Sequence, residues 1–194
     1  MSALTVYHEP ERSWDDLVRF REETQWPEGG KVEIIEGVVT VSPTPANQHN
    51  LIADAVQRRL CSAIPEDRGI FQTLSIAVPS RLGMSIPDLV VVPTAEVDGP
   101  GTYIPAAAAE LVVEVTSKSD AQHDRIGKPA AYAAAGIPLY LLIDRWAPGG
   151  PTVTLYGEPR GDVYRVLHAG KLGEQIVLPD PFGLKLDTSV FPVH

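Results

Sequence analysis

Hydrophobic and polar positions along the chain alternate between a helical and a strand-like period. Residues 13–24 repeat at helical spacing, with Ser13 placed as an N-cap and Asp15 and Asp16 in the first turn. Val32-Glu33-Ile34-Ile35 and Val38-Val39-Thr40-Val41 flank Glu36-Gly37 and predict a hairpin with a two-residue turn. Ser42-Pro43-Thr44-Pro45 is a stiff connector. It leads into a helix over about 47–63 with His49, Ile52, Val56 and Leu60 on one face. Strands are predicted at 70–78, 85–92 and 110–116, with 100–109 as a surface loop. A helix over 124–135 stops at Gly136. The apolar run 137–144 suits a strand covered on both faces. Beyond the breaker Pro148-Gly149-Gly150-Pro151, short alternating stretches at 153–156, 163–167, 175–178 and 184–186 predict a peripheral antiparallel meander too short for its own core.

This order predicts an α/β fold: a core of helix, three strands, helix and strand at about 30–145, an N-terminal hairpin and a C-terminal antiparallel β extension at 151–194. One domain spanning 1–194 is the expectation. No Gly-rich turn follows the first strand and no Walker P-loop is present, so the nucleotide-binding α/β classes are set aside. Two positions break the apolar pattern. Asp88 interrupts Ile86-Pro87-Asp88-Leu89-Val90-Val91-Val92, and Glu114 interrupts Leu111-Val112-Val113-Glu114-Val115. A buried ionised carboxylate is costly unless compensated. Two of them on neighbouring strands look like one side of a divalent-cation site.

Composition narrows the picture little. The 194 residues suffice for one good-sized core, and 44% apolar with 21% charged residues is ordinary for a soluble globular protein. Residues 1–14 are polar and acidic, without the apolar centre of a signal peptide, and no apolar run approaches the roughly 18 residues of a membrane span. The single Cys61 excludes an internal disulfide, so a cytoplasmic location is expected, and its place beside Leu60 reads as packing. A net charge of −9 argues against binding driven by many phosphate contacts. Basic residues gathered on one face, or metal ions at the contact, would still permit nucleic-acid binding.

Pro87-Asp88 followed by Glu114, in this order of elements, resembles the PD-(D/E)XK nuclease superfamily. More narrowly, the chain resembles a bacterial family described as putative restriction endonucleases. The resemblance rests on Glu33-Ile34-Ile35-Glu36-Gly37, Ser42-Pro43 running to His49, Pro87-Asp88-Leu89-Val90-Val91 and Leu111-Val112-Val113-Glu114-Val115 with Ser117. It continues through Asp124-Arg125 with Lys128 and Tyr132, then Ala135-Gly136-Ile137-Pro138 with Tyr140 and Asp144. It implies a metal-dependent phosphodiester hydrolase acting on nucleic acid, DNA first, as a homodimer. Asp88, Glu114 and the backbone carbonyl of Val115 would hold Mg2+, or Mn2+. Glu33 would complete or tune the site, and His49 would contact phosphate or carry a proton.

The chain departs from the superfamily pattern at the lysine expected two residues after Glu114, where Thr116 stands. In the narrower family the lysine lies on the following helix, and here it matches Lys128. Asp124, Lys128 and Tyr132 fall at i, i+4 spacing on one face. Pro129 disfavours helical geometry at the preceding residue and shifts the helix start to about Gly127 or Lys128. Lys118 is the rival for the role.

Structural readings stand beside these. Asp88 could pair with Arg81 or Arg125, and Glu114 with Lys128. Glu33 could be solvated, Glu36 a turn residue, His49 a hydrogen-bonded core group and Tyr132 a packing residue with a polar tip. Arg58, Arg59, Arg81 and Arg125 are candidate phosphate contacts, while Asp144 reads as structural. His8, His123, His168 and His194 show no ligand spacing. Two further functions remain open. One is a non-catalytic binding or assembly protein with a degenerate site; the other is hydrolysis of RNA or a branched intermediate.

Overall fold

In the computed structural model, residues 4–6, 13–118 and 121–192 are described. The elements run β1 (Leu4–Val6), α1 (Trp14–Glu23), β2 (Lys31–Ile35), β3 (Val38–Ser42), α2 (Asn47–Cys61), β4 (Arg68–Phe71), β5 (Ser75–Val78), β6 (Gly83–Ser85) and β7 (Leu89–Pro93). They continue β8 (Tyr103–Pro105), β9 (Leu111–Val115), α3 (Ala121–Arg125), α4 (Gly127–Ala134), β10 (Leu139–Asp144), β11 (Thr152–Arg160), β12 (Val163–Lys171), β13 (Gln175–Leu178) and β14 (Leu184–Asp187).

Local chemistry sets several of these boundaries. Ser13 and Asp16 form a reciprocal capping box at the start of α1. The hairpin turns on Glu36 and Gly37, both at positive φ, so the turn matches the right-handed twist of β2 and β3. Gly136, also at positive φ, ends α4 and releases the chain into β10.

The central sheet has the order β12-β11-β10-β9-β7-β4. β9 and β10 are parallel, joined through α3 and α4, and β7 runs antiparallel to β9. A second sheet has the order β1-β3-β2-β6-β5-β8. Ile52, Val56 and Leu60 of α2 pack on one face of the central sheet, beside the β13–β14 hairpin. Against the other face lie Tyr132 and Ala133 of α4 and Ile76, Val78 and Ile104 of the second sheet. Leu17 of α1 covers the far side of that sheet, against Ile34, Val39 and Met84.

Five predictions are corrected. The strand expected at 70–78 is two strands in different sheets, and so is that at 85–92. The second break falls at Ile86-Pro87, where proline has no N–H to give a ladder and restrains the residue before it. The loop at 100–109 contains β8, parallel to β5, and a short 3-10 turn. The C-terminal meander is not peripheral: β11 and β12 extend the central sheet directly, and the separate β13–β14 hairpin buries Ile176, Leu178, Leu184 and Leu186 in the same core. Cys61, expected to pack, is exposed at the end of α2.

Candidate active site

Strand pairing brings the two anomalous acids together. Leu89 stands opposite Val113 and Val90 opposite Val112, so the same antiparallel register carries Asp88 across from Glu114. Their sequence parity puts both on the face that bears Val90 and Val112. Both are buried and line one polar cavity of about 100 Å³ with Lys31, Glu33, His49, Val115, Ser117, Asp124 and Lys128.

Asp88 is held tightly. Its Oδ2 accepts from the Val115 N–H at 2.8 Å and lies 3.0 Å from His49 Nε2, while Oδ1 accepts from the Lys31 ammonium. Burial alone would raise this carboxyl, but the His49 hydrogen bond and the Lys31 charge outweigh it and hold Asp88 well below the usual range. Lys31 is in turn pushed up: burial opposes its charge, and Asp88 and Glu114 overcome that.

Glu114 has a different balance. Its Oε1 accepts from Lys128 Nζ and from the Tyr132 hydroxyl, each at 2.9 Å. Burial pushes Glu114 up to about 8 against the attraction of Lys128, with Asp88 and Asp124 adding repulsion. Asp124 is likewise pushed up to about 6, mainly by burial. Lys128 lies 3.0 Å from Asp124 and 3.7 Å from Glu33, and these acids lift its pKa well above the ordinary value despite complete burial. Four acids therefore face two lysines and one imidazole in one cavity. The site carries an excess of negative charge that a bound cation would relieve.

Each expected residue has a definite place. Glu33 is buried, and its Oε1 accepts from the Ile86 N–H at 2.8 Å, tying the hairpin to the segment before Asp88. His49 comes from the first turn of α2, whose N-cap Ala46 makes no side-chain cap bond; the positive end of this helix borders the acids. The break at Ile126 divides the predicted helix, yet Asp124, Lys128 and Tyr132 still converge on Glu114. Pro129 sits in the first turn of α4, where it costs no helical hydrogen bond. Thr116, two residues after Glu114, is fully buried and donates to Asp144 Oδ1 at 3.1 Å. Lys118 points elsewhere, 5.8 Å from the centre of the Trp146 ring.

The pairings proposed for Asp88 with Arg81 or Arg125 do not form. Arg81 lies near Glu36 and Asp162, and Arg125 makes two hydrogen bonds to Asp144. Arg58 pairs with Asp54 on the exposed side of α2, and Arg59 reaches the Lys185 carbonyl. Glu36 is a turn residue. His8 and His194 lie outside the described residues.

Sequence reasoning missed Lys31 and undervalued Asp124. Lys31 stands two residues before Glu33 on the same strand, so alternation put both on one face. Asp124 was visible as the first member of the i, i+4 series.

Fold and site together define a mixed α/β protein with a buried carboxylate–lysine centre at the ends of its central strands. The chain belongs to the Uma2 family, described as putative restriction endonuclease, whose model matches residues 14–189. Its fold is similar to the crystal structure of a putative nuclease belonging to DUF820 from Anabaena variabilis ATCC 29413. The TM-score is 0.69 and the identity 19%, over 92% of this chain and 96% of that one. No curated protein matches the chain.

Proposed function

We propose that this protein is a magnesium-dependent phosphodiester hydrolase of restriction-endonuclease-like fold, acting on nucleic acid and on DNA in the first place. The observation that carries the reading is the convergence of Asp88, Glu114 and Lys128 on one cavity, with the acids on one face of paired strands. Among the described residues no three His, Cys, Asp or Glu side chains form a metal site by themselves. Magnesium does not demand one: it keeps several waters and commonly binds through one or two carboxylates. Asp88, Glu114 and the Val115 carbonyl fit such a partly hydrated cation, and Mn2+ would fit the same oxygens.

A divalent cation there would polarise the scissile phosphate and supply a water of lowered pKa. The chain's own residues do the rest. Lys128, fixed by Asp124 and Glu33, presents a positive charge to phosphate oxygens as their negative charge grows. His49 and the Val115 N–H orient Asp88, and Tyr132 orients Glu114. Lys31, paired with Asp88 Oδ1, would compete with a cation for that oxygen. On this reading the active form is a homodimer in the cytoplasm.

Purified protein should nick or linearise plasmid DNA with Mg2+ and not with EDTA. Asp88→Ala and Glu114→Ala should abolish cleavage, and Lys128→Met should slow it by on the order of 10²–10³-fold. Cleavage at the wild-type level in both acid variants would overturn the assignment. A second reading has its own support. Protein cations already answer Asp88 and Glu114, as they would in a non-catalytic binding protein that kept the fold. Such a protein would neither bind magnesium at these acids nor cleave.

A further inference from the structure

Beyond the ends of β9 and β10 an indole stands out in the solvent. Trp146 is 46% exposed, whereas Trp14 and Trp26 are half-buried against Tyr103 and Phe20. Its ring carries two cations: Lys118 Nζ lies 5.8 Å and the Arg145 guanidinium carbon 5.9 Å from its centre. The backbone beneath it is fixed. The Trp146 N–H donates to Asp144 Oδ1 at 3.0 Å, and the Arg145 N–H donates to Thr116 Oγ1 at 3.0 Å. Asp144 is itself clamped by Arg125, and Arg145 reaches Gln48, the neighbour of His49 on α2. Thr116 is two strand residues past Glu114, which puts this platform on the order of 10 Å from the carboxylates.

We infer that Trp146, with Lys118 and Arg145, is a stacking platform for an unpaired nucleotide beside the scissile phosphate. The substrate class is then nucleic acid with single-stranded character at that position. The inference rests on nucleic acid being the ligand, as proposed above. The bases of an intact duplex keep their faces stacked on one another, so an indole can take a base only from a single strand, an end or a flipped nucleotide. Charge points the same way. A chain of net charge −9 is poorly suited to neutralising many phosphates, whereas stacking needs no excess of cations and tolerates any base. Lys118 and Arg145, both held against the ring, supply two phosphate contacts, in keeping with a shallow dependence on salt.

The test is Trp fluorescence in EDTA, titrating the wild-type chain with a short single-stranded DNA oligonucleotide or its blunt duplex. Quenching is expected with the single strand, at an affinity above that for the duplex. The slope of log affinity against log salt should lie near −1 to −2. Trp146→Ala should weaken single-strand binding roughly 5- to 100-fold with an unchanged circular dichroism spectrum, and Trp146→Phe should keep most of it. Equal affinity in Trp146→Ala, a preference for duplex, or no binding by the wild-type chain overturns the platform. The two proposals fail separately. Single-strand binding through Trp146 without any cleavage would refute the hydrolase and keep the platform. Acid-dependent cleavage that Trp146→Ala leaves untouched would refute the platform and keep the hydrolase.

Discussion

Asp88 and Glu114 face the same cavity, yet their surroundings drive their protons in opposite directions. Asp88 gains from a hydrogen bond, a lysine and a backbone N–H, whereas Glu114 is more deeply buried and crowded by other acids. Lys31 is the residue on which this difference turns, because its ammonium sits against Asp88 where a metal would compete with it. Lys31→Met should therefore tighten Mg2+ binding by on the order of tenfold, measured by calorimetry. Unchanged or weaker binding would mean that Lys31 helps to build the site. The anomaly of a carboxylate in an apolar strand was legible because burial makes it expensive. Lys31 was not, since a lysine at the start of a hairpin strand is ordinary. Trp146 was equally silent, because exposure of a single aromatic side chain leaves no periodic trace.

Among the elements, α2 carries the clearest division of labour. Ile52, Val56 and Leu60 fill the core between the central sheet and the β13–β14 hairpin, while His49 turns the same face toward Asp88 one turn earlier. Leu60→Ala should cost about 2–5 kcal/mol in denaturant unfolding. Leu51→Ala, on the exposed side of the same helix, should stay within about 0.5 kcal/mol. Equal losses would contradict this placement of the helix. The 3.6-residue period made α2 readable, and alternation with a two-residue turn made the β2–β3 hairpin readable. The splitting of 70–78 and 85–92 between two sheets was hidden, because only tertiary pairing assigns each segment to its sheet. The α3–α4 break shows the converse: Ile126 interrupts the helix, but the spacing of Asp124, Lys128 and Tyr132 still delivered them to one point.

Over the whole molecule, the crowded acids make stability depend on pH. Folded Glu114 holds its proton up to about 8, against an ordinary value of 4.5, and Asp124 up to about 6 against 3.8. Between those values the folded chain binds more protons than the unfolded one. The stabilisation is complete below about pH 4 and is lost as pH rises through 6 and then 8. Asp88 acts oppositely, stabilising above its ordinary value of 3.8 and losing that contribution only in acid. The metal-free protein should therefore melt lower at pH 9 than at pH 6, by on the order of 5 °C, and added Mg2+ should recover most of the loss at pH 9. A melting temperature that rises with pH without metal, or ignores Mg2+, would contradict the charge balance drawn for the site.

The proposed activity depends on Asp88 and Glu114 sharing a divalent cation, which calorimetric titration of Mg2+ at pH 7, repeated in two buffers of different ionisation enthalpy, tests most directly. The account predicts one cation per chain, with proton release as Glu114 ionises and the heat abolished in Asp88→Ala and Glu114→Gln. Binding that persists unchanged in both variants, or no binding by the wild-type chain, would contradict it.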